Sequence, residues 1–242
     1  MVTLSAFYMA KTLTTWAEWQ TVRTWAVAHG YPDLLVTNDG GGAIGKAADH
    51  PVCRVNWYEV VKWCNAKSEM DGLTPCYYTD EAQPTVFRTG NLVGYRIQVK
   101  WAANANGYRL PTSEEWECAA RGGITGKRFP WGDTISHTQA NYNSSASYSY
   151  DVSATRGNHP SYNSGDYPYT SPVTAFAANG YGLFDMAGNL GQWCWDRAGD
   201  YPNRAVRGGS WEDPATGLAG YFGDYPTIAS VYGFRCARSS AP

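Results

Sequence analysis

Six cysteines and four histidines are the side chains of this 242-residue chain best suited to metal or redox chemistry. Their spacing argues against both. Cys53, Cys64, Cys76, Cys118, Cys194 and Cys236 form no CxxC pair, and His29, His50, His137 and His159 stand apart without zinc-ligand spacing. Spacing alone assigns no disulfide among six thiols, and most of them are expected to be buried and free. Aromatic residues stand out instead, at 15% of the chain with 11 Trp and 18 Tyr, while charged residues reach only 17%. A net charge of −2 leaves no basic footprint for nucleic acid. One segment near the C-terminus, Glu212 to Tyr232, has no period of 2 or 3.6, and carries four aromatics and two prolines between the ordered motifs RGGSW and GFRCAR.

Three helices are marked by their caps. Thr15 with Glu18, Asn56 with Glu59, and Thr112 with Glu115 each have capping-box spacing, and Gly30, Gly72 and Gly122–Gly123 supply exits. In the second, Val60, Trp63 and Cys64 form an apolar face at helical spacing. Short strands are expected over Arg96–Trp101, Gln192–Asp196 and the segment RAVRGGSW. Thr134 to Thr170 reads as a Ser/Tyr/Asn/Gly-rich loop, unusual at that length unless tied down or functional. No repeat, linker or charge run divides the chain, so residues 1–242 read as a single domain. The longest apolar runs are too short to span a bilayer, and the opening MVTLSAFYMAKTL lacks the pattern of a signal peptide.

The motifs YRLPTSEEWECAARGG, FPWGD, NGYGLFDMAGNLGQWCWD, AVRGGSW and GFRCAR, in this order, resemble the formylglycine-generating enzyme (sulfatase-modifying factor) family. The upstream segments HPVCRVNWYEVVKWCNA and FYMAKTLTTWAEWQ extend the resemblance over nearly the whole chain. It implies an α+β, C-type-lectin-like fold with two main helices, a small twisted antiparallel sheet and long loops.

Enzymes of that family oxidise a substrate cysteine with a copper-binding pair of thiols placed two and seven residues after the aromatic of the GGS-aromatic motif. Counted from Trp211, those positions are Asp213 and Leu218. A carboxylate and an isobutyl group supply neither a copper thiolate nor an exchanging disulfide, so no catalytic residue is assigned. Related iron-dependent sulfoxide synthases need a three-histidine site, which the isolated histidines do not suggest. The resemblance also implies calcium candidates: the family's GN-x-x-E-W site maps onto Asn189 and Gln192, an amide in place of the carboxylate, which weakens calcium binding, and a second site onto Asn141 and Asp166. The resemblance also implies a possible Cys64–Cys236 bridge in an oxidising compartment.

The same RGGSW…GFR frame, here residues 207–238, occurs in variable proteins of diversity-generating retroelements, where the segment between the motifs is rewritten at template adenines. Asn codons altered in this way cannot yield Lys, Gln, Glu, Met or Trp, and Asp213 to Tyr232 contains none of these. The resemblance therefore implies a non-enzymatic, receptor-like protein whose C-terminal surface binds a variable ligand, expected to be a protein surface. Within it, Asp213, Ala215, Thr216 and Leu218 form the first part of the expected contact set. Tyr221, Phe222, Gly223, Asp224 and Tyr225 supply rings and charge, and Thr227, Ile228, Ala229, Val231 and Tyr232 complete it. Trp116, Trp131, Trp193, Trp195 and Trp211 are expected in the core. Arg207 and Arg235 are expected to anchor the segment through backbone carbonyls or a carboxylate such as Glu117. Gly191, Arg197 and Ala198, where relatives often carry larger aromatics, are further candidate altered positions. Cell-surface or extracellular location follows by resemblance. Two alternatives are a metal-dependent oxidase of the formylglycine-generating type and a calcium-dependent carbohydrate-binding lectin, although the EPN and QPD tripeptides of such lectins are missing.

Overall fold

The three long helices begin where a side chain can take up orphaned N–H groups. In a computed structural model, α1 (Trp16–Ala28), α2 (Trp57–Met70) and α3 (Ser113–Arg121) start at complete capping boxes on Thr15, Asn56 and Thr112. Gly122 closes α3 in the left-handed conformation, with φ 57°. The structure describes residues 3–34, 42–80, 85–90, 99–199, 203–219, 221–224 and 231–240, the backbone alone for 221–224.

The strands are short and fall into separate sheets. β1 (Phe7–Met9) pairs antiparallel with β8 (Ala237–Ser239), joining the two ends of the chain. β2 (Tyr77–Tyr78) pairs with β3 (Lys100–Trp101). The largest sheet runs β6 (Tyr221–Asp224), β5 (Arg204–Arg207), β4 (Gly191–Arg197), β7 (Tyr232–Gly233). β5 is antiparallel to both neighbours, whereas β7 lies parallel to β4, with Gly191 opposite Tyr232.

This corrects the expected fold class. Instead of a C-type-lectin-like fold with two main helices and one small antiparallel sheet, the chain has an α+β architecture with several helices and small sheets, the largest of them mixed. α3 is a third full helix, held by the buried Arg109–Glu115 ion pair at its first turn. The sheet is mixed because the chain returns after β6 to lay β7 along β4, where Gly191 N–H donates to Val231 O at 3.1 Å. The strand expected through RAVRGGSW stops at Arg207, since Gly208 and Gly209 adopt φ of 92° and 68°. Of the strand expected over Arg96–Trp101, Lys100–Trp101 is formed, and residues 96–98 lie outside the described residues.

The main core packs α1 and α2 against β4, with Trp19, Trp57, Trp63, Trp193 and Phe234 buried. Trp116 and Trp211 are also buried, while Trp131 and Trp195 are half-buried. The long 134–170 loop is tied down from within. Asp151 accepts from the Tyr142 hydroxyl at 2.6 Å, the Ser144 hydroxyl at 2.9 Å and the Ser145 N–H at 2.8 Å, and Arg156 pairs with it.

Candidate functional site

The segment between the two C-terminal motifs leaves β5 through a glycine pair that no other residue suits. A Cβ on Gly208 would stand 3.0 Å from the Trp116 ring and 3.2 Å from the Gln192 amide, at a φ of 92°. The chain then turns on Asp213, whose Oδ2 accepts from the Ser210 N–H at 2.8 Å and hydroxyl at 2.7 Å. That carboxylate is committed to the turn. The Asp213 carbonyl takes the Asn143 N–H at 3.0 Å, bridging the segment to the 134–170 loop.

A short helix, α4 (Ala215–Leu218), follows Pro214. Ala215 and Leu218 are buried against Phe129, Ile135, Ala140 and Tyr142, so these two expected contact residues face the core rather than a ligand. Thr216 is exposed, its hydroxyl 3.4 Å from that of Tyr148. β6 carries Tyr221, Phe222, Gly223 and Asp224 on the edge of the sheet, opposite Arg207, Val206, Ala205 and Arg204. Tyr225, Thr227, Ile228 and Ala229 lie outside the described residues. Val231 is buried beside Trp211 and Leu190, a further departure from the expected contact set. Tyr232 is half-buried, edge-on to Trp193 at 5.0 Å. Of the three other candidate altered positions, Gly191 and Ala198 are buried and Arg197 is exposed.

Past the segment, Arg235 is fully buried and donates to Gln192 Oε1 at 2.7 Å and to four backbone carbonyls: Phe184 (2.6 Å), Ala10 (3.1 Å), Lys11 (3.2 Å) and Asp185 (3.4 Å). Its acceptors are backbone carbonyls, as expected, but they belong to residues 10, 11, 184 and 185 and not to the segment itself. Arg207 reaches Ser113 Oγ at 2.8 Å and Glu117 at 3.3 Å, with Glu117 partly exposed rather than buried. Burial pushes the Asp185 carboxyl up to about 7, with Arg235 pulling the other way, and lowers the Arg235 guanidinium to about 10.

Three of the four calcium candidates are employed elsewhere. Gln192 Oε1 receives both Arg235 Nε–H and Trp116 Nε1–H (2.8 Å), and its Nε2–H donates to Asp185 O. Two donors, one cationic, saturate that oxygen, so Gln192 does not fit a calcium site. Asn189, at φ 67°, uses its amide on both backbone groups of Ser171. Asn141 donates to Tyr169 O, and Asp166 is exposed. Among the described residues no group of three or more His, Cys, Asp or Glu is placed to hold a metal. Cys64 and Cys236 Sγ atoms stand 3.9 Å apart as free thiols, beyond the ~2.05 Å of a bond, so the bridge implied by resemblance is not formed. Five of the six cysteines are buried, as expected, and Cys118 is exposed.

Sequence reading missed Asp185 and Asp151, which sit in unpatterned turns, and missed α4.

Residues 1–240 match the Sulfatase-modifying factor enzyme 1-like domain. The chain is 31% identical over 226 residues to the chaperone protein LppX of Paenibacillus barcinonensis, covering 87% of this chain and 71% of that one. It is 38% identical over 147 residues to the inactive C-alpha-formylglycine-generating enzyme 2 of Bos taurus, spanning 55% of this chain and less than half, 45%, of that relative. Among solved structures, CarF matches with a TM-score of 0.75 at 28% identity, over 98% of this chain and 87% of CarF. Treponema denticola variable protein 1 matches with a TM-score of 0.69, also at 28% identity, over 99% of this chain and 86% of that one.

Proposed function

The chain belongs to the sulfatase-modifying factor enzyme 1-like family, and within it we propose a binding protein, a single domain that displays a replaceable C-terminal segment to a ligand. It is not an oxidase of the formylglycine-generating type. Asp213 and Leu218 hold the thiol positions, and the similarity extends to inactive paralogues. The observation that carries the proposal is what those two residues do: Asp213 closes its own turn, and Leu218 fills the core under α4. The site of an oxidative thiol pair has become a structural support.

The likeness to a variable protein supports diversification by a retroelement. The proposed contact set is then Thr216, the β6 edge at residues 221–224 and the half-buried Tyr232, with residues 225 and 227–229 assigned by the resemblance alone. Ala215, Leu218 and Val231 serve it from below. Rings set between small residues suit a protein ligand, because they give large contact area at low entropic cost. Location at the cell surface belongs to the same proposal. No helix among the described residues is long and apolar enough to cross a membrane.

Sequencing around the coding region tests the proposal. A near-identical second copy of the segment, differing mainly at adenines, beside a reverse-transcriptase gene is expected; absence of both sinks diversification. Copper titration with an assay on a CxPxR peptide is expected to give no turnover, and turnover would overturn the non-enzymatic reading.

A further inference from the structure

Three of the four histidines are buried, and all three hold the 134–170 loop. His159 has both ring nitrogens assigned by their partners. Its Nδ1 accepts from the Ser161 N–H at 3.2 Å, so its proton must sit on Nε2, which donates to His137 O at 2.8 Å. His137 Nε2 donates to Tyr142 O at 3.1 Å, and its Nδ1 lies 3.0 Å from the Thr155 hydroxyl. The two rings are 5.0 Å apart. At the far end, His50 Nδ1 lies 2.9 Å from the Thr170 hydroxyl. His29, by contrast, is exposed and stacks on Trp25.

The same loop carries the displayed segment. Tyr142 packs on Ala215 and Leu218, Asn143 N–H holds Asp213 O, and Tyr148 meets Thr216. We propose that the 134–170 loop is an acid-released strap under the displayed segment, latched by His137 and His159. This rests on the display reading for its consequence, release or remodelling of the bound partner in acid, but not for its mechanism.

Protonation breaks the latch at a definite atom. A second proton on His159 places Nδ1–H against the Ser161 N–H, two donors face to face, with the buried ring packed against the half-buried Tyr162 and Phe176. His137 can accept a proton by turning the Thr155 hydroxyl, and it then repels a charged His159. The charged groups facing His137 are Asp151 and Arg156, of opposite effect; those facing His50 are Asp49 and Lys46, likewise opposed. Burial lowers all three histidines below their ordinary value. Burial works against the Asp151 carboxylate, yet hydrogen bonds led by the Tyr142 hydroxyl hold it below the usual range, so it stays ionised while the histidines titrate. Groups depressed in the folded state contribute their full stability above the ordinary histidine range near 6.5. That stability is lost as pH falls from there through the depressed values.

Hydrogen exchange on the unliganded protein tests this at pH 7.5 and 5.0, corrected for intrinsic rates. Exchange in residues 137–162 is expected to rise severalfold in acid, the direction that depressed histidines require, while α2 and β4 stay protected. In a His137→Gln, His159→Gln variant, whose amides donate and accept without titrating, the acid response is expected to vanish. Equal protection of the loop at both pH values, or acid loosening that survives in the variant, overturns the strap. If the variant does not fold, histidine Cε1–H titration of the wild type decides, and midpoints for His137 and His159 at or above 6.5 overturn it. Display stands or falls separately on the coding copy and the copper assay.

Discussion

Replacing Arg235 with leucine separates frame from filling. The guanidinium makes five hydrogen bonds between 2.6 and 3.4 Å, four of them to backbone carbonyls from two distant parts of the chain. Leucine satisfies none of these acceptors, and the side chain is 0% exposed, so water does not replace the lost donors. Each charge-assisted bond has a net worth of about 1.5–3 kcal/mol. The guanidinium's own burial penalty, visible in its pKa lowered to about 10, offsets part of that. A net loss of about 3–5 kcal/mol is expected, a large fraction of the ~5–15 kcal/mol that holds a domain folded. Thr216, exposed on α4 with one long hydroxyl contact, is expected to tolerate Ala, Asp or Tyr within about 0.5 kcal/mol. Urea unfolding followed by tryptophan fluorescence measures both, provided the m values agree. Arg235→Lys, which retains charge and one or two bonds, should fall between. The reasoning fails if Arg235→Leu costs less than about 1 kcal/mol, or if Thr216 variants cost more than about 2 kcal/mol.

Three more outcomes follow from the same geometry. Leu218→Ala is expected to cost about 2–5 kcal/mol, since Leu218 fills the space between α4 and Phe129; a near-neutral value in urea unfolding would place that side chain outside the core. Asp185 is raised to about 7 in the folded state, so its ionisation lowers stability progressively as pH rises from about 4 through 7. Asp185→Asn, which tolerates the left-handed φ of 51°, should therefore exceed the wild type on the order of 2 kcal/mol at pH 8 and match it below pH 4, and equal pH profiles would refute this. Thiol labelling of the native protein should show one fast-reacting cysteine, abolished by Cys118→Ser, and six in denaturant without reductant; four in denaturant would reveal an oxidised pair.

Local chemistry made the helices legible. Thr15, Asn56 and Thr112 each bond a residue three positions away, so the signal for a helix start lies within four letters of sequence. The two C-terminal motifs were legible for a similar reason: Gly208, Gly209 and Arg235 have backbone and hydrogen-bonding demands that few residues meet. Asp213 and Leu218, at the positions where the family resemblance puts two thiols, could likewise be read off once the motifs were aligned.

What the tertiary structure decided is where each letter of an aperiodic segment points. Ala215, Leu218 and Val231 are buried because Tyr142, Ile135, Trp211 and Leu190, all distant in sequence except Trp211, cover them. Aperiodic sequence carries no face, so nothing short of those partners distinguishes support from surface. The parallel pairing of β7 with β4 has the same origin, as it joins residues about forty positions apart through backbone groups that every residue possesses. Gln192 looked like a weakened calcium ligand until Arg235 and Trp116 were found on its oxygen. The sequence by itself determined the helix starts and, through the family resemblance, the frame and the residues that stand at the expected thiol positions. Burial and partner choice along the displayed segment came only with the folded chain, because both depend on contacts between residues far apart in sequence.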